Sequence, residues 1–351
     1  MNEETVRIGC IGAGFMGQLA HLRNFTTIED CTVVALAEPR ERLRERVAAR
    51  YEIEETYPDH EALLANADVD AAIAIQHYSH HHAIVPDILE TGLPVFTEKP
   101  LARSVESGEE LASAAEDAGV PYMVGYMKRA DPGMVRAKSI VDRWRDSGEY
   151  GDLRFVRMTV AHGNWTGNAE TELVTTDESP PETVPADPLP GEFDEEAASR
   201  FDHVINYYVH QFNALRYVLG EGYDVVHADP TGSLMTLESE SGLPGTLEMR
   251  PYDTTSDWQE SLLVGFDNAY VRVELPPPLV HHRASDVEVM TAPPEGEQET
   301  TSPAMPNVSS MRAQAKTFRD VVRGERDPPS DARDAVEDLR IAREYVRDQF
   351  A

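Results

Sequence analysis

The residues best suited to chemistry lie in the first third of the chain. Gly12-Ala13-Gly14-Phe15-Met16-Gly17 stands directly after an apolar run, Val6 to Ile11, and opens a helical pattern. A glycine triplet at this spacing carries weight only in a strand–turn–helix context, and that context is present. Gly12 allows the tight turn, Gly14 leaves room for a pyrophosphate, and Gly17 lets helix and strand pack closely, with the positive end of the helix facing the phosphates. Gly12, Gly14, Phe15, Met16 and Gly17 are therefore candidate cofactor contacts. Glu38 ends the next apolar run, about 20 residues further on, where a carboxylate accepts both ribose hydroxyls of NAD and repels the 2′-phosphate of NADP. Arg40 pulls the other way, because a guanidinium there could hold that phosphate. NAD is the favoured cofactor and NADP the alternative. Glu98-Lys99-Pro100 ends a later apolar run. Ligands of doubly wound sheets bind at the carboxyl ends of strands, and a lysine there carries protons when burial or a nearby cation lowers its pKa.

Composition sharpens the reading of that lysine. The 351 residues include 63 Asp plus Glu against 31 Lys plus Arg, a formal net charge of −32. Such a field repels nucleic acid and anionic lipid, and argues against both as partners. Only Lys99, Lys128, Lys138 and Lys316 are lysines, so a lysine retained at position 99 is one that the site needs. An acidic surface with almost no lysine suits molar salt, where a Debye length of about 3 Å screens self-repulsion. The expectation is a halophile that keeps high salt inside the cell. No apolar stretch approaches the roughly 18 residues of a membrane helix. The acidic start MNEETVRIG lacks the basic region of a signal peptide, so a cytoplasmic protein is expected. Cys10 and Cys31 fall in or beside strand patterns and are expected as buried small residues, not as a disulfide. His77-Tyr78-Ser79-His80-His81-His82 has a metal-like composition. No cysteine or consistent acid spacing completes a ligand set, and no metal is expected.

These residues need elements to position them. Apolar runs at Val6 to Ile11, Thr32 to Ala37, Ala71 to Ile75, Pro94 to Thr97 and Tyr122 to Val124 alternate with helical patterns at Phe15 to Phe25, Arg40 to Tyr51, His81 to Thr91 and Ser104 to Ala118. Strict alternation predicts a parallel sheet covered on both faces. Beyond residue 125 come a helix at Met134 to Arg145 and a long strand at Leu153 to Ala161. An acidic, proline-rich loop at 170–196 and a helix at Val204 to Leu219 follow. Five strand-like runs between Val225 and Leu275 have no helix between them, which suggests an antiparallel sheet. A polar loop at 291–309 and closing helices at Met311 to Val322 and Ala332 to Gln349 end the chain. The fold class is α/β: a dinucleotide-binding domain at 1–124, then an α/β domain at 125–351 whose last helix could pack back toward the first. Tyr126, Lys128 and Arg129 follow the fifth strand, at the domain junction where a cleft should form, and Trp165 with Asn164 could reach a sugar face.

The glycine fingerprint, the Glu98-Lys99-Pro100 tripeptide, His82-Ala83 before it and Gly125-Tyr126-Met127-Lys128-Arg129 after it resemble the Gfo/Idh/MocA oxidoreductases, the glucose–fructose oxidoreductase and inositol dehydrogenase group. The resemblance covers the first domain well and continues more loosely to Gly220. It implies a Rossmann domain followed by an α/β domain with an open, mostly antiparallel sheet that often forms the oligomer interface, hence a homodimer or homotetramer. It also implies hydride exchange between NAD(P) and a carbinol of a sugar, polyol or sugar derivative. Family members carry an Asp and, four residues on, a His facing the substrate beside the motif lysine. Here His210 falls on the histidine and Asn206 on the Asp, and an amide cannot accept a proton as a carboxylate does. Either Lys99 and His210 suffice, or Asp202 or another acid substitutes. On one helix, i and i+4 would face one substrate. His82 falls on a family position over the cofactor. The rival readings are an NADPH-dependent reductase and a dinucleotide-binding regulator without catalysis.

Overall fold

A computed structural model of the chain describes residues 5–161, 163–167, 172–179, 181, 184–249 and 258–350. The chain forms two compact units, one of residues 1–126, 169–194 and 314–339, the other of 127–168, 195–313 and 340–351. Six strands of the first unit, β1 (Val6–Ile11), β2 (Cys31–Ala37), β3 (Glu55–Tyr57), β4 (Ala71–Ala74), β5 (Val95–Glu98) and β6 (Tyr122–Gly125), make one sheet in the order β3-β2-β1-β4-β5-β6. Every pairing is parallel. The strand order reverses between β1 and β4, and the carboxyl ends of strands flanking such a reversal are where doubly wound sheets take ligands. The helices of this sheet are α1 (Arg23–Phe25), continuing a π-helix at Gly17–Leu22, α2 (Glu41–Tyr51), α3 (His60–Asn66), α4 (His81–Glu90) and α5 (Val105–Ala118). All four residues of β4 and of β5 are buried, as sheets covered on both faces require.

The second unit carries α6 (Pro132–Ser147), β7 (Leu153–Ala161), α7 (Glu195–Tyr207) and α8 (Val209–Leu219). It continues with β8 (Tyr223–Ala228), β9 (Leu234–Ser239), β10 (Pro244–Met249), β11 (Gln259–Phe266), β12 (Ala269–Glu274), β13 (Asp286–Thr291) and β14 (Glu299–Thr301). The sheet order is β14-β13-β12-β11-β7-β10-β9-β8, antiparallel except for the parallel β7–β10 pair. Helix α9 (Ser310–Val322) and helix α10 (Ala332–Gln349) close the chain. In the first unit α10 lies so close to α5 that a Cβ on Gly108 would sit 2.9 Å from a Leu339 methyl, which accounts for a glycine inside α5.

Four expectations are corrected. Strand β3 and helix α3 are additional: β3 is a three-residue polar edge strand without an apolar run, and α3 is a short helix capped by Asp59, which accepts the Ala62 N–H. Strand β14 lies in the stretch expected to be a loop at 291–309, and all its residues are exposed, so no apolar alternation marks it. Strand β13 is additional too: only its Val287 is fully buried, so no apolar run marks it. The single helix expected over Val204 to Leu219 is two helices, and the first begins at Glu195. The break is at Tyr208, where the Gln211 N–H bonds back three residues to the Tyr208 carbonyl.

Candidate active site

The turn after β1 gives each glycine a separate geometric reason. Gly12 has φ +98°, and a Cβ there would lie 3.0–3.1 Å from the backbone of Ile75 and Gln76. A side chain on Gly17 would meet the Gly12 carbonyl at 2.5 Å, while nothing lies within 4 Å of a Cβ on Gly14. The turn is thus tight at Gly12, packed at Gly17 and open at Gly14. Phe15 and Met16, half-buried, begin the helix that continues into the π-helical turns. A π-helical stretch is uncommon and recurs at functional sites.

Glu38 at the end of β2 is buried and fastened to this turn. Its Oε2 accepts the Ala13 N–H at 3.0 Å. Its two oxygens also hold Arg40, from Nε at 2.6 Å and Nη2 at 3.0 Å. Arg44 donates to the Glu38 carbonyl at 2.6 Å. The bond to Glu38 keeps the Arg40 guanidinium above its usual range against the effect of burial, and Glu178 adds to the field. A buried carboxylate beside the glycine turn, flanked by a helix N-terminus, is the donor and acceptor set that a dinucleotide needs.

Lys99 follows β5 and is half-buried; its peptide bond to Pro100 is cis. Glu98 accepts the Lys99 N–H at 3.1 Å and a bond from His21 Nε2 at 2.7 Å. Burial would raise the Glu98 pKa, but His21 and the adjacent lysine outweigh it and hold the carboxyl below its ordinary range. His21 escaped the sequence reading. Its signal was a histidine embedded in the apolar stretch Gly17–Leu22, where a buried polar group must find a partner. Gln76, after β4, has both amide atoms buried without a hydrogen-bond partner among the described residues, beside the Gly12 turn. Such an orphaned amide fits a site that a polar ligand completes. His82, in the first turn of α4, likewise has a buried Nδ1 without a partner. The histidine run gathers no ligand cluster; among the described residues the one grouping close enough for an ion is His60, Glu61 and Asp87. Cys10 and Cys31 are buried free thiols on neighbouring strands, and burial pushes both thiols up.

The acidic loop belongs to the first unit and is stitched to it at several places. Gln18 exchanges two bonds with the Val174 backbone, at 3.0 and 2.9 Å, and Glu172 pairs with Arg23 at 2.5 Å. Asp187, fully buried, accepts the Arg103 N–H at 3.1 Å and the Ser107 hydroxyl at 2.7 Å.

In the second unit Lys128 is not a surface group. It is buried and pairs with Glu260 of β11 at 3.2 Å, while Gln211 of α8 donates to the same carboxylate oxygen at 2.5 Å. Arg129 donates to Asn213 at 2.7 Å and lies over the Tyr217 ring. Asp131 caps α6 through the Gly133 and Met134 N–H groups and also accepts from Ser285, and burial raises its pKa. His210 stands in the first turn of α8, directly before Gln211; Asn206 stands in the last turn of α7. Both are half-buried, but they lie on successive helices, so the i, i+4 argument on one helix does not apply. Trp165 is exposed on the turn after β7, and Tyr126 is buried at the end of the first unit.

Residues 6–126 match the family described as "Oxidoreductase family, NAD-binding Rossmann fold". The scyllo-inositol 2-dehydrogenase (NAD(+)) of Bacillus subtilis is 26% identical over 261 residues, 70% of this chain and 67% of that protein. The inositol 2-dehydrogenase/D-chiro-inositol 3-dehydrogenase of Lacticaseibacillus casei is 30% identical over 176 residues, 49% of each, so this match spans about half of that relative. A solved scyllo-inositol dehydrogenase of Lactobacillus casei, with NAD(H) and scyllo-inositol bound, superposes with TM-score 0.69 over 98% of this chain and 97% of that one; at 18% identity this establishes a shared fold.

Proposed function

We propose that this chain, an oxidoreductase of the Gfo/Idh/MocA family through its Rossmann domain at residues 6–126, is an NAD-dependent dehydrogenase. It would exchange a hydride with a carbinol or carbonyl carbon of a polyol, sugar or sugar derivative. The observation that carries this reading is the Glu38 carboxylate, buried against the Ala13 N–H and clamping Arg40, next to a Gly14 that faces open space. The clamp supports NAD over NADP, since Arg40 is already held by a carboxylate. Bound NAD supplies the hydride acceptor. The side chains supply everything else. Lys99 or His210 takes the proton of the substrate hydroxyl, and Asn206 orients a neighbouring hydroxyl as donor and acceptor. Lys128 acts through Glu260 and Gln211 by holding the start of α8, and so His210, in place. The inositol relatives make cyclic polyols the first substrates to try.

The test is an absorbance screen of inositols, sugars and sugar acids with NAD and NADP in molar KCl. Turnover with a polyol and NAD is expected. Lys99→Ala and His210→Ala should each lower it on the order of 10²–10⁴-fold. Near-normal turnover in either variant removes that residue from the chemistry. Failure to bind either dinucleotide overturns the reading. We propose further that the protein acts in the cytoplasm as a homodimer or homotetramer and needs molar salt, as its charge of −32 suggests; full activity in dilute buffer would overturn the salt requirement.

A further inference from the structure

Helix α2 lacks a local cap. Its N-cap residue is Arg40, whose side chain makes no capping bond. The cap comes instead from the acidic loop: Glu178 Oε1 accepts the Arg42 N–H at 3.1 Å and Oε2 accepts the Leu43 N–H at 3.0 Å. The neighbouring Asp177 pairs with the Arg42 guanidinium at 2.6 Å, and Thr176 steadies Glu178 through a 3.0 Å hydroxyl bond. Glu178 lies 136 and 135 residues along the chain from the two N–H groups it caps.

The location matters because α2 starts where a dinucleotide's adenosine ribose is read. In this fold the residue after β2 takes the 2′-hydroxyl, and an arginine nearby takes a 2′-phosphate when there is one. Three arginines stand here, and each is engaged. Arg40 is bound by Glu38, Arg42 by Asp177, and Arg44 by the Glu38 carbonyl. The helix N-terminus, whose N–H groups could donate to a phosphate, has those of Arg42 and Leu43 taken by Glu178. The field of Glu178 reaches Arg40 as well.

We propose that Glu178, with Asp177, is a second determinant of cofactor choice: the loop plants two carboxylates on the cations and N–H groups that a 2′-phosphate would use, so that the protein rejects NADP even where Arg40, Arg42 and Arg44 could have held it. This rests on the dinucleotide reading above. A phosphate monoester brings up to two negative charges, which these carboxylates repel and whose donors they occupy. NAD, with a hydroxyl at that position, meets no such conflict.

The experiment is titration calorimetry of NAD and NADP into the full chain and into Glu178→Gln, at matched salt. Glu178→Gln should tighten NADP roughly tenfold or more relative to NAD, with the effect growing as salt is lowered. Asp177→Asn, on a side chain that is 80% exposed and tolerant of change, should move the ratio in the same direction by less. It serves if Glu178→Gln fails to fold. An unchanged NAD:NADP ratio in the variants, even with a lowered melting temperature, would make the loop a structural strap only and overturn the proposal. Binding of neither dinucleotide by the native chain would instead remove the dinucleotide reading, and this inference with it.

Discussion

Two carboxylate–cation pairs, one in each unit, have nearly the same chemistry and different uses. Glu38 and Arg40 are two residues apart, and the arginine stays 21% exposed. Lys128 and Glu260 are 132 residues apart, and their side chains are 4% and 1% exposed. The first pair stands at the carboxyl edge of a parallel sheet, beside open space at Gly14 and an orphaned amide at Gln76. The second is sealed, with Gln211 as a third member. A pair at an edge can give up a hydrogen bond to a ligand, whereas a sealed pair can only hold what surrounds it. A buried ion pair offers little net stability, yet removing one partner leaves an uncompensated charge. The two pairs should therefore fail in different ways.

The largest difference is expected at the sealed pair. Glu260→Ala should cost about 3–5 kcal/mol of unfolding free energy, read from the urea midpoint, because Lys128 then stays buried without its counter-charge. Joining Lys128→Met to Glu260→Met should recover most of that loss. If Glu260→Ala unfolds within 1 kcal/mol of the native chain, the distinction between a sealed pair and an edge pair collapses. At the edge pair the balance reverses. Glu38→Gln should weaken NAD by about 1.5–3 kcal/mol, the usual value of a hydrogen bond to a charged group, and change stability by less than that. Calorimetry and a melting curve on one preparation separate the two. A variant that melts early but binds NAD normally would sharpen the comparison against us, by making Glu38 an interior residue in function too.

How much of this was legible follows from sequence distance. The glycine turn, Glu38 and the Glu98-Lys99-Pro100 stretch stand at the carboxyl ends of β1, β2 and β5 in one run of alternating strands and helices, so spacing alone put them at one sheet edge. The same is true of Ser104 and Gly119, which bound α5 as cap and stop. Glu260 could not be found this way. It occupies the inward register of β11 with Leu262 and Val264, where a strand pattern calls for an apolar residue, and its partner lies on another element. Glu178 hides for a similar reason: in a loop rich in acids, nothing local separates the one that caps a distant helix from those that face water. Tyr208 is the reverse case. Its neighbours Asn206, Tyr207, Val209 and His210 include no Gly or Pro to mark a stop, and the break between α7 and α8 shows only in the backbone.

Two buried histidines of the first unit repeat the comparison at smaller scale. His21 faces the Glu98 carboxylate at 2.7 Å. His81 is fully buried, with Nδ1 bonded to the Leu101 carbonyl at 2.9 Å and Nε2 without a partner among the described residues. Burial lowers the His81 pKa to about 4, against smaller upward pulls from that carbonyl and from Glu98. The unfolded chain, with a histidine near 6.5, binds the proton first as pH falls. The stability His81 contributes is therefore fully present above pH 6.5 and is lost progressively as pH drops toward 4. Between pH 7 and pH 5 the loss amounts to about 2 kcal/mol. His81→Asn keeps a donor for Leu101 and removes the titration. Urea unfolding at the two pH values should then show a shallower acid loss in the variant by that amount. Carboxylates titrate alike in both proteins and cancel in the difference. Parallel losses would mean that His81 binds its proton in the fold as readily as in the unfolded chain, and that its burial contributes nothing to the acid loss.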